Sequence, residues 1–254
     1  MATRKTKGPG APARPEEGAG DLRSQHAHST QGDGYASDEA LGLTAQARVE
    51  PPDITALPQG GVLGTGCGYP LGDVEVPPGA IVLDLGCGGG ADCFQGFRRV
   101  QDDGLLIGED LTEVVLERQR IAQRAASFKQ VKFARGGQDA LPAESSSVDL
   151  VVSNCVLNLV GNRGHAYAEI HRVLRPGGRA AISDVVTRGT LSPETRRDIQ
   201  AYVGCVAQAM DREEYLAIVR AAGFREVLVT RAQEFAVGAS AEGAAMNITV
   251  VAMK

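Results

Sequence analysis

The sequence predicts an α/β fold, Rossmann-like, in which a seven-stranded, mostly parallel sheet carries helices on both faces. Three observations point to it. First, the apolar run Ile81-Val82-Leu83-Asp84-Leu85 breaks into Gly86-Cys87-Gly88-Gly89-Gly90. The loss of alternation marks a strand covered on both sides, and the glycines let backbone approach a ligand closely. Second, short apolar runs alternate with helical stretches, the signature of βαβ units. Third, acids stand at or near the ends of the first two strands, Asp84 and then Glu109-Asp110, where open sheets of this type meet their ligands.

The elements follow in order. Residues 1 to 34 are rich in Gly, Pro, Ala, Ser and charge without hydrophobic period, and read as a disordered tail. Its acids Glu16, Glu17 and Asp21 argue against a transit peptide. Residues 35 to 75 form an N-terminal lid or loop segment. It carries the pair Pro51-Pro52 and the turn-rich stretch Gly64 to Pro70, which includes Cys67. From residue 76 to 254 runs the α/β domain. Strand Ile81 to Leu85 is followed by a helix over Ala91 to Val100, and strand Leu105 to Gly108 leads into Glu109-Asp110. A helix over Glu113 to Ser127 has Thr112 as its N-cap and Val114, Val115, Ile121 and Ala122 as apolar positions. Strands are expected at Val131 to Ala134 and Val148 to Ser153. A helix over Ala166 to Leu174 is stopped by Pro176-Gly177-Gly178, and Ala180 to Ser183 is the fifth strand. Ser192-Pro193-Glu194 opens another helix. Asp211-Arg212-Glu213-Glu214 caps a further one that Gly223 ends. Val227 to Thr230 and Asn247 to Ala252 close the sheet.

Composition narrows the function classes. The 254 residues, 43% of them hydrophobic, suffice for one good-sized α/β core. A net charge of -5 and the absence of Trp argue against nucleic acid as partner, and no apolar run approaches membrane-spanning length. Five cysteines, an odd number in a chain without an apolar signal segment, favour a reducing cytoplasm with free thiols. A monomer acting on small molecules is expected. The four histidines make no metal cluster: His26 and His28 are in the tail, and His165 and His171 lie on or beside one helix.

The pattern Asp-Leu-Gly-x-Gly-x-Gly at Asp84 to Gly90 resembles the first motif of S-adenosylmethionine methyltransferases more than the dinucleotide fingerprint. At the switch point of such a sheet, Asp84, Gly86, Cys87 and Gly88 border one crevice with Asp110, Leu111, Gln138 and Asp139. Asp110, 26 residues after Asp84, is placed to accept hydrogen bonds from both ribose hydroxyls of an adenosine moiety, with Glu109 as its rival. Asp139 can accept from the adenine amino group or be a solvated loop acid. Asn154 can meet the methionyl part of the cofactor or the substrate, or hydrogen-bond backbone. A sulfonium methyl donor is already activated, so little acid-base equipment is needed.

Cys87 and Cys93 read as packing material in the glycine turn. Cys67, Cys155 and Cys205 can all reach the crevice rim. Three converging thiols with no histidine or carboxylate set suit a soft centre such as trivalent arsenic, while packing is the alternative for each. Several motifs together resemble the arsenite S-adenosylmethionine methyltransferases. They are Gly66-Cys67-Gly68-Tyr69-Pro70, Asp84 to Gly88 with Asp92-Cys93-Phe94, Ser153-Asn154-Cys155-Val156-Leu157-Asn158-Leu159-Val160, Arg172 to Gly178, Ser183-Asp184-Val185-Val186 and Tyr202-Val203-Gly204-Cys205-Val206. The Arg-Val-Leu-Arg-Pro-Gly-Gly element is generic to methyltransferases, whereas the Ser-Asn-Cys-Val-x-Asn-Leu element with its flanking cysteines is specific.

The resemblance, over about residues 35 to 224, implies a class I methyltransferase with an antiparallel closing hairpin. It implies S-adenosylmethionine as cofactor and trivalent arsenicals as substrate. Cys155 and Cys205 would hold arsenic as thiolates, Cys67 would be the third thiol, and glutathione or thioredoxin would serve as thiol reductant. The role implied is arsenic detoxification. Two departures stand out. No cysteine precedes Cys67, so a disulfide relay through an upstream partner is absent. The chain ends soon after the last expected strand, which implies a reduced substrate cover. Two other readings keep part of the pattern: methylation of another small nucleophile, and a metalloid-binding protein without methyl transfer.

Overall fold

The computed structural model describes residues 66 to 254 except 101–102, 190–192, 195–205 and 238–240. The tail, most of the lid segment, the start of the helix expected at Ser192 and the cysteine Cys205 lie outside the described residues. The strands are β1 (Ile81–Leu85), β2 (Leu105–Asp110), β3 (Val131–Arg135), β4 (Val148–Asn154), β5 (Leu174–Thr187), β6 (Met210–Asp211), β7 (Glu226–Val237) and β8 (Ala241–Met253). The helices packed on them are α1 (Ala91–Val100), α2 (Glu113–Ala125), α3 (Arg163–Val173) and α4 (Arg212–Ala221). The sheet runs β3-β2-β1-β4-β5-β8-β7, with two-residue β6 added beside β5. β1 to β5 are parallel, and β8 is antiparallel to both β5 and β7. The order reverses between β1 and β4, so the crevice opens beyond the carboxyl ends of β1, β2 and β4.

One apolar cluster lies on each face, so both layers of helices are buried against the sheet. Leu83, Tyr167, Ile170, Tyr215 and Leu216 belong to the side carrying α3 and α4. Val82, Phe94, Leu106, Leu116 and Phe133 belong to the side carrying α1 and α2. No described helix is long and apolar enough to cross a membrane.

Several local expectations differ from the structure. In α2 the buried positions are Val115, Leu116, Gln119 and Ala122, while Val114 and Ile121 are exposed. Both sets are compatible with a helical period, and the sheet decides which arc is covered. Thr112 precedes α2 but makes no side-chain cap; its backbone N–H instead donates to Asp110 Oδ1 at 2.8 Å. α3 begins earlier than expected, at Arg163, because the Asn162 side chain caps it by accepting from the His165 amide. Pro176-Gly177-Gly178 does not form a separate turn. It lies inside β5, where the pairing with β4 slips between Val148 and Leu150 and Gly177 takes φ +81°. The closing strands are far longer than their apolar cores, because each pairs along its whole length with the other. Asp211 caps α4 as expected, accepting from Glu213 and Glu214 amides.

Candidate functional site

The turn after β1 forms the crevice floor. Gly86 and Gly88 take φ of +60° and +47°, a region that favours glycine. A Cβ at Gly86 would stand 2.6 Å from Val156 Cγ2. At Gly88, among the described residues, it would meet only the Gly86 carbonyl, at 3.8 Å, so this backbone is open on that side. The turn is tied to the end of β2: the Gly86 amide donates to Glu109 Oε2 at 3.3 Å and the Gly88 amide to Asp110 Oδ2 at 3.1 Å. Leu111 is an exposed leucine beside this carboxylate, and its side chain covers Gly137. Gln138 is buried and Asp139 exposed; the carbonyl of Asp139 meets His165 Nε2 at 3.0 Å. The predicted cofactor residues other than Asn154 thus line one rim, from the glycine turn across β2 to the loop after β3.

Carboxylates crowd the floor. Cys93 donates to Asp84 Oδ2 at 3.1 Å. Burial, then the Asp92 charge, push the Asp84 carboxyl well above its ordinary value, and Glu109 and Asp110 add to the shift. Burial raises Asp92 to about 6, against the hydrogen bond from Asn154. It raises Glu109 to about 7, against the Gly86 amide. Cys87 rises to about 11: the Cys93 hydrogen bond pulls it down, but burial and the Asp84, Asp110 and Glu109 charges outweigh that. A cationic ligand would relieve this mutual repulsion.

The thiols meet on the other side of β4. Asn154 ends that strand and clamps the loop before β1: its Oδ1 accepts from the Gly68 amide at 3.1 Å, and its Nδ2 donates to the Gly68 carbonyl at 2.8 Å and to Asp92 at 3.1 Å. Its amide is thereby spent on the Cys67 loop and on Asp92 rather than pointing freely at a ligand. Cys67, buried, donates from Sγ to the Ser183 carbonyl at 3.5 Å, and the Cys155 amide donates to the same carbonyl at 2.8 Å. Cys155 takes φ +64°, a strained conformation for a residue with a side chain. Cys67 Sγ, Cys155 Sγ and a carboxylate oxygen of Asp184 all lie within 4.8 Å of one another. Cys155 is disulfide-bonded, whereas Cys67, Cys87 and Cys93 are free. Burial, then the Asp184 charge, hold the Cys67 thiol well above its ordinary value.

Asp184, within the motif Ser183-Asp184-Val185-Val186, stands beside these two sulfurs without a role expected from the sequence. An acid inside an otherwise apolar strand, the signal that singled out Asp84, also marks it. It is fully buried, accepts from the Tyr215 hydroxyl at 2.9 Å, and Tyr215 in turn pairs with the Tyr167 hydroxyl. Its Oδ1 has no hydrogen-bond partner among the described residues. Burial raises its carboxyl to about 7, opposed by Tyr215, Arg163 and the Asn158 amide.

Residues 77–223 match the family described as methyltransferase domain. The chain belongs to that family. Among its relatives, this methyltransferase is 35% identical to the arsenite methyltransferase of Halobacterium salinarum, over 80% of the chain and 52% of the relative. It is 31% identical to the arsenite methyltransferase of Homo sapiens, over 56% of the chain and 40% of the relative. The chain therefore spans about half the length of the curated relatives it matches. The crystal structure of CrArsM, an arsenic (III) S-adenosylmethionine methyltransferase from Chlamydomonas reinhardtii, superposes with a TM-score of 0.67 at 28% identity, covering 83% of this chain and 72% of that one. The fold is that of the class I S-adenosylmethionine-dependent methyltransferases. Its residues fit that cofactor, which carries positive charge on sulfonium and ammonium groups: the open backbone at Gly88 and the carboxylates Asp84, Asp92 and Asp110 are what such a ligand requires.

Proposed function

We propose that this methyltransferase transfers a methyl group from S-adenosylmethionine to trivalent arsenic held as thiolates by Cys155 and Cys205, with Cys67 as third thiol, in arsenic detoxification. The observation that carries the reading is that Cys67 Sγ, Cys155 Sγ and a carboxylate oxygen of Asp184 lie within 4.8 Å of one another. Two sulfur donors brought together, with no histidine in the cluster among the described residues, suit a soft centre. The bound cofactor supplies an activated methyl group, whose bonding pair to sulfur stays with the sulfur as the arsenic lone pair forms the new bond. The protein's part is placement. Asp110, Leu111, Gln138 and Asp139 take the adenosine end, and Asp84, Gly86, Cys87 and Gly88 border the methionyl end. Asn154 acts on both sites at once: its bonds to Gly68 and Asp92 fix the Cys67 loop relative to the turn.

The Cys155 disulfide supports a role for a thiol reductant, glutathione or thioredoxin, because an oxidised sulfur cannot ligate arsenic until exchange frees it. The protein acts as a monomer in the cytoplasm in this reading, with trivalent arsenicals and the reductant as its partners and no nucleic acid or membrane. The test is mass-resolved product analysis after incubation with arsenite, S-adenosylmethionine and glutathione, beside Cys155→Ser. Methylarsenicals from the parent and none from the variant are expected. No product from a parent that binds the cofactor would overturn the assignment of arsenic as substrate.

A further inference from the structure

We propose that the reduced protein carries a site for a borderline divalent cation, zinc or its congener cadmium, formed by Cys67, Cys155 and Asp184, and that the ion competes there with arsenic. The cation site stands on the geometry of the cluster; only the competition rests on the arsenic reading above. Two observations carry it. Cys67 Sγ, Cys155 Sγ and a carboxylate oxygen of Asp184 lie within 4.8 Å of one another, and all three residues are buried. Asp184 is also half used: its Oδ2 accepts from the Tyr215 hydroxyl at 2.9 Å, while Oδ1 is buried with no partner among the described residues. A buried acceptor left unsatisfied is unfavourable, and a cation ligated there recovers that loss.

The donor set selects the ion. Hard cations such as magnesium and calcium take oxygen donors, and two sulfurs exclude them. A purely thiophilic ion draws little from a carboxylate, whereas zinc takes thiolate and carboxylate together. Zinc stands about 2.3 Å from sulfur and about 2.1 Å from oxygen, so its tetrahedral ligand atoms lie about 3.5–3.8 Å apart. A separation of at most 4.8 Å leaves about 1 Å of closure for the side chains to make. Outer contacts orient the donors: Tyr215 holds the carboxylate through Oδ2 with Tyr167 behind it, and the Cys67 thiol is held at the Ser183 carbonyl. The chemistry balances. A phosphine opens the Cys155 disulfide, taking oxygen from water to become the phosphine oxide while the two hydrogens of that water go to the released sulfurs. The cation then forms two metal–sulfur bonds and one metal–oxygen bond, and two thiol protons leave to solvent. Two thiolates and a carboxylate bring three negative charges to one divalent ion; Arg163, whose charge acts on Asp184, offsets the excess.

The test uses the full chain, reduced with a phosphine and exchanged under inert gas, with free zinc set by a metal buffer. Cys155→Ser, Asp184→Asn and Asp184→Ala are compared with the parent. Stoichiometric zinc is expected on the parent, with sulfur and oxygen neighbours in zinc-edge X-ray absorption. Each variant loses a ligand and should bind zinc at least about 10–100-fold more weakly, the loss that removal of an outer contact alone produces. Arsenite, taken by thiols, should lose less than about threefold in both Asp184 variants, which reports that the site is still folded. In the methylation assay zinc should raise the KM for arsenite with kcat unchanged, and a chelator should reverse the effect. A parent that binds no zinc, or zinc affinity unchanged in Cys155→Ser, would overturn the site. Equal loss of zinc and arsenite in the Asp184 variants would overturn the role of Asp184 as a ligand, and zinc bound without a change in KM would overturn the competition. A parent that binds zinc and forms no methylarsenical would remove arsenic as substrate and leave the cation site standing.

Discussion

Glu109 illustrates what one buried side chain imposes at this site. It is fully buried, with Oε2 on the Gly86 amide and Oε1 without a partner among the described residues. Its carboxyl value of about 7 in the fold stands above the ordinary 4.5. The folded state therefore binds more protons than the unfolded chain between those values, so the contribution to stability is full below pH 4.5 and is lost as pH rises through about 7. Asp184 at about 7 and Asp92 at about 6 act in the same direction. Urea unfolding at pH 5 and pH 8 should show the parent less stable at pH 8. Glu109→Gln, which keeps an acceptor for Gly86, should shrink that difference by roughly 1–3 kcal/mol. An identical pH dependence in both proteins would contradict the placement of this charge. At Gly68, a Cβ would stand 2.3 Å from Ser183 Oγ. Gly68→Ala should displace the Cys67 loop and weaken arsenite capture, with S-adenosylmethionine affinity measured by calorimetry nearly unchanged.

At the scale of the element, short polar contacts decide where helices begin and what they bury. Asp211 satisfies two amides of the first turn of α4, and Asp211→Ala should destabilise the protein by about 1 kcal/mol in denaturant titration. Tyr215 on α4 reaches Asp184 in β5 and Tyr167 on α3, with the two rings edge to face at 6.0 Å. Tyr215→Phe should therefore lower stability by about 1–3 kcal/mol, because it leaves a buried carboxylate oxygen unpaired; no loss in thermal or urea unfolding would show that the pair adds nothing. The elements themselves were largely legible. The five parallel strands stand within a few residues of their apolar runs, since burial on both faces writes itself into local composition. Ends were less legible. The helix ends at Val173, within a residue of the end expected before Pro176-Gly177-Gly178, but the chain then runs straight through that segment as β5, because pairing with β4 tolerates a bulge there.

Across the whole molecule, the cofactor crevice and the thiol cluster are two sides of one strand, β4, joined through Asn154 and Asp92. The carboxylates on the cofactor side couple binding to protons. A cationic cofactor favours ionised Asp92 and Glu109, whose values of about 6 and about 7 leave them partly protonated near neutrality. Binding of S-adenosylmethionine should release protons and tighten as pH rises from 6 to 8. Calorimetry in buffers of different ionisation enthalpy would detect the release, and a buffer-independent enthalpy would rule it out.

The sequence by itself determined the parallel core, the glycine turn and the acids around it, because apolar runs, glycines and strand-end acids act through neighbours a few residues away. The motif resemblance extended that to the methyltransferase family. Only the tertiary structure decided that Cys67 and Cys155 meet at Asp184. The three come from a loop before β1, the residue just after β4 and the part of β5 near its carboxyl end, and Cys67 lies 116 residues from the carbonyl it bonds. No local period encodes an approach of that kind; it follows from the crossover order of the sheet, which brings the ends of distant strands side by side.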